Sequence, residues 1–131
     1  MRQKIFDIAG KIRREFEERM IPRDVLVSLY SAYNPKVDVD LFVDEAEKIF
    51  PKLNCGLTSV YLQSILGGEI MRGKFENNNH TFLLLHDFVV DITADQYGGE
   101  KVHVGSLKYP WSMLSLKKRR TRGSQENTKS T

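Results

Sequence analysis

The segment HTFLLLHDFVVDIT, residues 80–93, decides how the chain folds. Phe, Leu and Val crowd residues 81–90, the composition of a buried strand, and the polar pair His86-Asp87 breaks the run where a two-residue turn fits. The stretch reads as a β-hairpin. With the turn at 86–87, Asp91 lies opposite Phe82 and His80 opposite Thr93. The side chains of residues 80, 82, 91 and 93 then share one face, and His80 and Asp91 are diagonal neighbours roughly 7–8 Å apart at Cα, within reach of a ring-nitrogen to carboxylate bond. A change of one residue in turn length would send Asp91 to the other face. Asp95 is the stand-in for that case, and His86 belongs to the solvated tip.

Upstream, EIMRGKF (residues 69–75) alternates as a strand, and ENNN (76–79) is a turn. Gly67-Gly68 closes a helix over residues 57–66, which opens at Asn54-Cys55-Gly56. Three more helices precede it. Ile5, Ile8, Ala9, Ile12 and Phe16 mark an amphipathic helix over residues 3–19. Pro22, at the first helical position, starts a second helix carrying Val25, Leu26, Leu29, Tyr30 and Tyr33, stopped by Asn34-Pro35. Asp38 or Asp40 caps a third, whose expected buried face is Leu41, Phe42, Ala46, Ile49 and Phe50. Downstream, residues 101–105 read as one more strand, and residues 109–114 as an aromatic lid without regular structure. The expected class is α+β: N-terminal helices and a cysteine-bearing helix packed on a small antiparallel sheet.

Cys55 is the only cysteine. At a helix N-terminus it meets unpaired backbone N–H groups and the positive end of the helix dipole, both of which favour thiolate. Cys55, His80 and Asp91 together have the order and logic of a thiol hydrolase: nucleophile, general base, and a carboxylate that fixes the imidazole tautomer. The backbone N–H of Cys55 or Gly56 would steady an oxyanion, with the side chain of Asn54 or Gln96 as a further donor. Zinc is the chemical rival, through Cys55, His80, Asp91 and His103. Structural zinc sites favour close pairs such as CxxC or HxxxH, and the chain has none, so neither a metal nor another cofactor is expected. The glycine pairs 67–68 and 98–99 lack the spacing of a phosphate-binding loop.

Asn54-Cys55 opening a helix, followed by the His80 strand and Asp91-Ile92-Thr93, resembles the core of the transglutaminase-like, papain-like cysteine peptidase superfamily, and the ending DITADQYG (91–98) is similar to small bacterial and phage members of it. The likeness covers about residues 50–99. It implies peptidase, amidase, deamidase or transamidase chemistry through Cys55, His80 and Asp91, on a peptide or protein substrate. It departs from the family pattern at Phe82, where a tryptophan is usual, and in a short Cys-to-His interval. A catalytically silent module of the same fold, holding a peptide or partner, is the alternative.

The 131 residues suit one domain over 1–116, with a disordered basic tail over 117–131. Six Lys or Arg and one Glu fall in that tail, a net of +5, which leaves 14 basic and 16 acidic residues before it, a net of −2. The overall charge of +3 is therefore a property of the tail, and nucleic acid is not the expected partner. A lone cysteine, no apolar leader and no membrane-length apolar run point to a reducing, cytoplasmic setting and away from membranes.

Overall fold

Four helices precede five strands in the computed structural model, which describes residues 1–113. They are α1 (Arg2–Glu17), α2 (Arg23–Tyr33), α3 (Val39–Ile49) and α4 (Cys55–Leu66), followed by β1 (Glu69–Phe75), β2 (Asn78–Leu85), β3 (Phe88–Asp91), β4 (His103–Ser106) and β5 (Trp111–Met113). A 3-10 turn over Ala94–Tyr97 links β3 to β4. Every pairing is antiparallel, in the order β4-β3-β2-β1-β5, so the class is α+β. The domain end at residue 116 and the basic tail at 117–131 lie outside the described residues.

The α1 stripe of Ile5, Ala9, Ile12 and Phe16 is buried, and Arg13 is buried beside it. That cation is matched. Its guanidinium donates to both carboxylate oxygens of Asp95 at 2.8 and 3.0 Å and to the Ile92 carbonyl at 2.8 Å, which fastens α1 to the chain leaving β3. Pro22 occupies the cap of α2 rather than its first turn. Asp38 caps α3 by accepting from the Leu41 N–H at 3.2 Å.

The buried face of α3 corrects the sequence reading. Val39, Val43 and Ala46 face the core, while Leu41 is 66% exposed. Two residues along a helix turn the side chain by about 200°, so burying Val39 sends Leu41 outward; Phe42, between the two, stacks on Tyr30 at 4.5 Å.

α4 lies on β2, with Leu57, Val60 and Leu62 packed against Leu83, Leu85, Val90, Ile92 and Val104. The opposite sheet face curls around a second apolar cluster of Phe75, Phe82, Val89, Ala94 and Trp111. The curl is strong enough for His103 of β4 to stack on Trp111 of β5 at 4.0 Å, although these strands are the two ends of the sheet. Gly73 of β1 permits it, since a Cβ there would collide with the Ser112 carbonyl and sit 2.9 Å from the Phe82 ring.

Trp111–Met113, expected to be irregular, pairs with Gly73–Phe75 as an edge strand. Three residues after a proline are too few to show alternation. The turn expected over 76–79 is also shorter, because Asn78 and Asn79 already belong to β2.

Gly73→Ala is expected to cost about 2–3 kcal/mol through that overpacking. Gly10, inside α1 with only Arg14 at 3.8 Å from a built Cβ, should instead gain about 0.5–1 kcal/mol on mutation to alanine. Urea unfolding of the two variants checks the opposite signs.

Candidate active site

The site is assembled where the start of α4 meets the β2–β3 hairpin. Asn54 is 1% exposed and its Nδ2 donates to the Ala46 carbonyl at 2.8 Å and the Lys52 carbonyl at 2.7 Å, tying the connector to α3. Both amide hydrogens are engaged, so the side chain is not the oxyanion donor expected of it. Cys55 is the first residue of α4 and is half-buried. Its own N–H and that of Gly56 belong to the first turn, where no helical carbonyl can accept them.

The strands pair as Leu83 with Val90 and Leu85 with Phe88, the register expected for a turn at His86-Asp87, and His86 adopts a φ of 56° at the exposed tip. His80 and Asp91, each 2% exposed, then meet through a 2.7 Å contact between Nε2 and Oδ2. Two further elements hold the carboxylate. Trp111 Nε1 donates to the same Oδ2 at 2.8 Å, and the Thr93 N–H donates to Oδ1 at 2.9 Å. Tyr97 and Phe75 stand edge-on to the imidazole, with ring centroids 5.4 and 6.2 Å away. The ring is thus clamped by packing and by one hydrogen bond.

With Nε2–H donating to Asp91, the Nδ1 lone pair is left to accept a proton. Nδ1 is buried and has no partner of standard geometry, and Cys55 is the remaining group whose hydrogen-bonding reach shifts the ring. Burial alone would lower the His80 pKa, but the Asp91 bond and then the thiol raise it to about 9. Burial likewise pushes the Cys55 thiol up, and His80 and the Thr81 backbone outweigh it, so the thiol lies below its ordinary value. The two shifts favour a thiolate beside an imidazolium.

Cys55 opens onto a cleft of about 470 Å³ whose lining includes Gly56, Thr81, Gln96, Tyr97, Arg72 and, packed close to Gly56, Tyr30 and Tyr33. Gln96 Nε2 is buried and unpartnered there. Gly56 and Gln96 line the same cleft as Cys55, while Asp95 is held by Arg13. His103 Nδ1 contacts Glu100 at 2.8 Å and its ring stacks on Trp111, away from the cleft lining. Among the described residues no group of three or more His, Cys, Asp and Glu side chains is arranged to hold a metal ion. No helix among them is long and apolar enough to cross a membrane.

Trp111, Tyr97, Thr81 and Arg72 are the site residues that sequence reasoning missed. Trp111 is the sole tryptophan of the chain, a signal that it matters but not of where. Its partner Asp91 is 20 residues away and on a different strand.

Asp91→Asn should lower the His80 pKa from about 9 towards 6.5 and raise that of Cys55, as read by NMR and by thiolate absorbance. Asp95→Asn should leave His80 unmoved and cost about 2 kcal/mol of stability through the loosened Arg13. The His80 shift contributes stability that is complete below 6.5 and lost as pH rises through about 9. The Cys55 shift acts in the opposite sense, complete above the ordinary thiol pKa and lost as pH falls. Cys55→Ser removes the thiol's slope together with the part of the His80 rise that the thiol supplies, so its melting temperature should fall with pH above 6.5 over a window that ends below about 9.

No curated protein and no solved structure matches the chain. A family model described as YunG protein matches residues 45–127. That span is more than half of the sequence and runs from the middle of α3 through all five strands, taking in Cys55, His80, Asp91 and Trp111; the chain belongs to the YunG protein family.

Proposed function

We propose that the protein is a cysteine-dependent hydrolase or acyltransferase that acts on an amide carbonyl of a peptide or protein, on a transglutaminase-like, papain-like layout. The observation that carries this reading is the buried His80–Asp91 bond, braced by Trp111, with Nδ1 left for the thiol at the head of α4. Each part has one task. The Cys55 thiolate attacks the carbonyl carbon, forming a C–S bond while the C=O electron pair moves onto oxygen. The first-turn N–H groups of α4 and the free Gln96 Nε2 are the donors for that oxyanion. As the tetrahedral species collapses, His80 Nδ1 gives its proton to the departing amine and a thioester remains on Cys55.

His80 then takes a proton from water, or from an acceptor amine, and the second attack releases the acyl group and restores the thiolate. Asp91 stays an acceptor throughout, since the Trp111 and Thr93 N–H groups can only donate to it. Its part is to hold the ring in the right tautomer and to steady the imidazolium.

4-Nitrophenyl acetate is a simple test acyl donor. The wild type should release a burst of about one 4-nitrophenolate per chain and carry the acetyl group on Cys55, as read by mass spectrometry. Cys55→Ser should lose the burst with its melting temperature nearly kept. Gln96→Ala should acylate about 10²-fold more slowly, the usual cost of one oxyanion donor. A wild type with no burst and no acetylated Cys55 would overturn the reading.

A further inference from the structure

We propose that Arg72 makes the Cys55 cleft selective for peptides with an acidic side chain beside the reacting carbonyl. The inference rests on the thiol chemistry above and adds the class of substrate.

Three observations carry it. The β1–β2 register sets Arg72 directly opposite Thr81, and directly paired residues share a sheet face. Thr81 follows His80 on β2 and lines the cleft together with Cys55, so Arg72 stands one strand away from the strand that carries the imidazole. Arg72 lines the same cleft.

The charge there is unbalanced. Arg72 is the one Lys or Arg in the lining, and no Asp or Glu lines the cleft. The remaining wall is largely aromatic and apolar, with Tyr30, Tyr33, Phe42, Leu53 and Tyr97. Such a wall screens a charge less than open water does and adds no carboxylate that would repel an anion.

The guanidinium is also pre-set. Arg72 Nε donates to the Tyr33 hydroxyl at 3.2 Å, and its central carbon sits 5.4 Å from the Tyr33 ring centroid. Tyr33 is in turn packed against Tyr30 at 5.6 Å, which rests on Phe42. Among the described residues the one hydrogen bond of the Arg72 side chain is the Nε–H to Tyr33, which leaves the two terminal nitrogens, the fork that matches a carboxylate, without a competitor. Ordering the side chain before substrate arrives reduces the entropy lost on binding.

Alkylation of Cys55 reads this without a known substrate. Iodoacetate and iodoacetamide deliver the same carbon to the sulfur and expel the same iodide, but only the first carries a carboxylate. The ratio of their rates is measured at pH 8.5 for the full chain, with 2-mercaptoethanol as the reference thiol. The wild-type ratio should exceed the reference, fall about three- to tenfold in Arg72→Gln, recover in part in Arg72→Lys, and shrink with added salt. Lys74→Gln removes the same charge two residues along β1, outside the cleft lining, and should move the ratio less than about twofold.

An unchanged ratio in Arg72→Gln, an equal fall in Lys74→Gln, or a Cys55 that neither reagent labels overturns the proposal. The reading of Cys55 as an activated nucleophile fails separately. It is lost if iodoacetamide labels Cys55 at pH 6 no faster than it labels 2-mercaptoethanol, whatever the ratio does.

Discussion

A carboxylate buried to 2% exposure between two strands must have its lone pairs answered, and Asp91 imposes that requirement on everything near it. Its donors come from three places: His80 on β2, Thr93 just past β3, and Trp111 on β5. For all three to converge, the sheet has to curl until its last strand reaches over the middle of the hairpin. The absence of a side chain at Gly73 and the aromatic filling of Phe75, Phe82 and Trp111 are what let it do so. The second apolar cluster is thus the support of a polar site as much as a core.

The opposite face shows the same economy. Arg13 is a cation sunk into the helix layer, and it is matched by Asp95 and the Ile92 carbonyl, immediately downstream of Asp91. The chain leaving β3 is therefore gripped from both sides, by α1 through Arg13 and by the hairpin through Thr93. Asn54 does the equivalent for the connector into α4 by tying it to Ala46. Rigid placement of the two segments that bring sulfur and imidazole together comes from buried, fully engaged polar side chains rather than from the apolar core alone.

Local signals were enough to read the hairpin. A two-residue turn at His86-Asp87 sets the pairing register, and the pairing register sets the His80–Asp91 diagonal. The first two helices were legible from their 3.6-residue periods, but the face of α3 was misread: the stripe through Val39, Val43 and Ala46 is the buried one, and Leu41 points outward. Contacts between distant segments were not legible. Nothing local marks Trp111 as a partner of Asp91, Asp95 as a partner of Arg13, or Asn54 as a tie rather than a donor to substrate. Each depends on where the sheet bends, and a bend produced by one glycine and a few aromatic rings leaves no period in the chain.

The position of β5 sets the order in which the site can mature. Cys55, His80 and Asp91 all leave the ribosome before Trp111, and the indole must travel back across β1 and β2 to reach a carboxylate made 20 residues earlier. Until that edge strand docks, Asp91 lacks one of its donors and the imidazole lacks a fixed support. A chain broken off between residues 91 and 111 would hold the three polar residues without the clamp that arranges them. Docking of β5 on β1 thus comes after the hairpin in chain order and supplies the indole donor that the Asp91 carboxylate otherwise lacks.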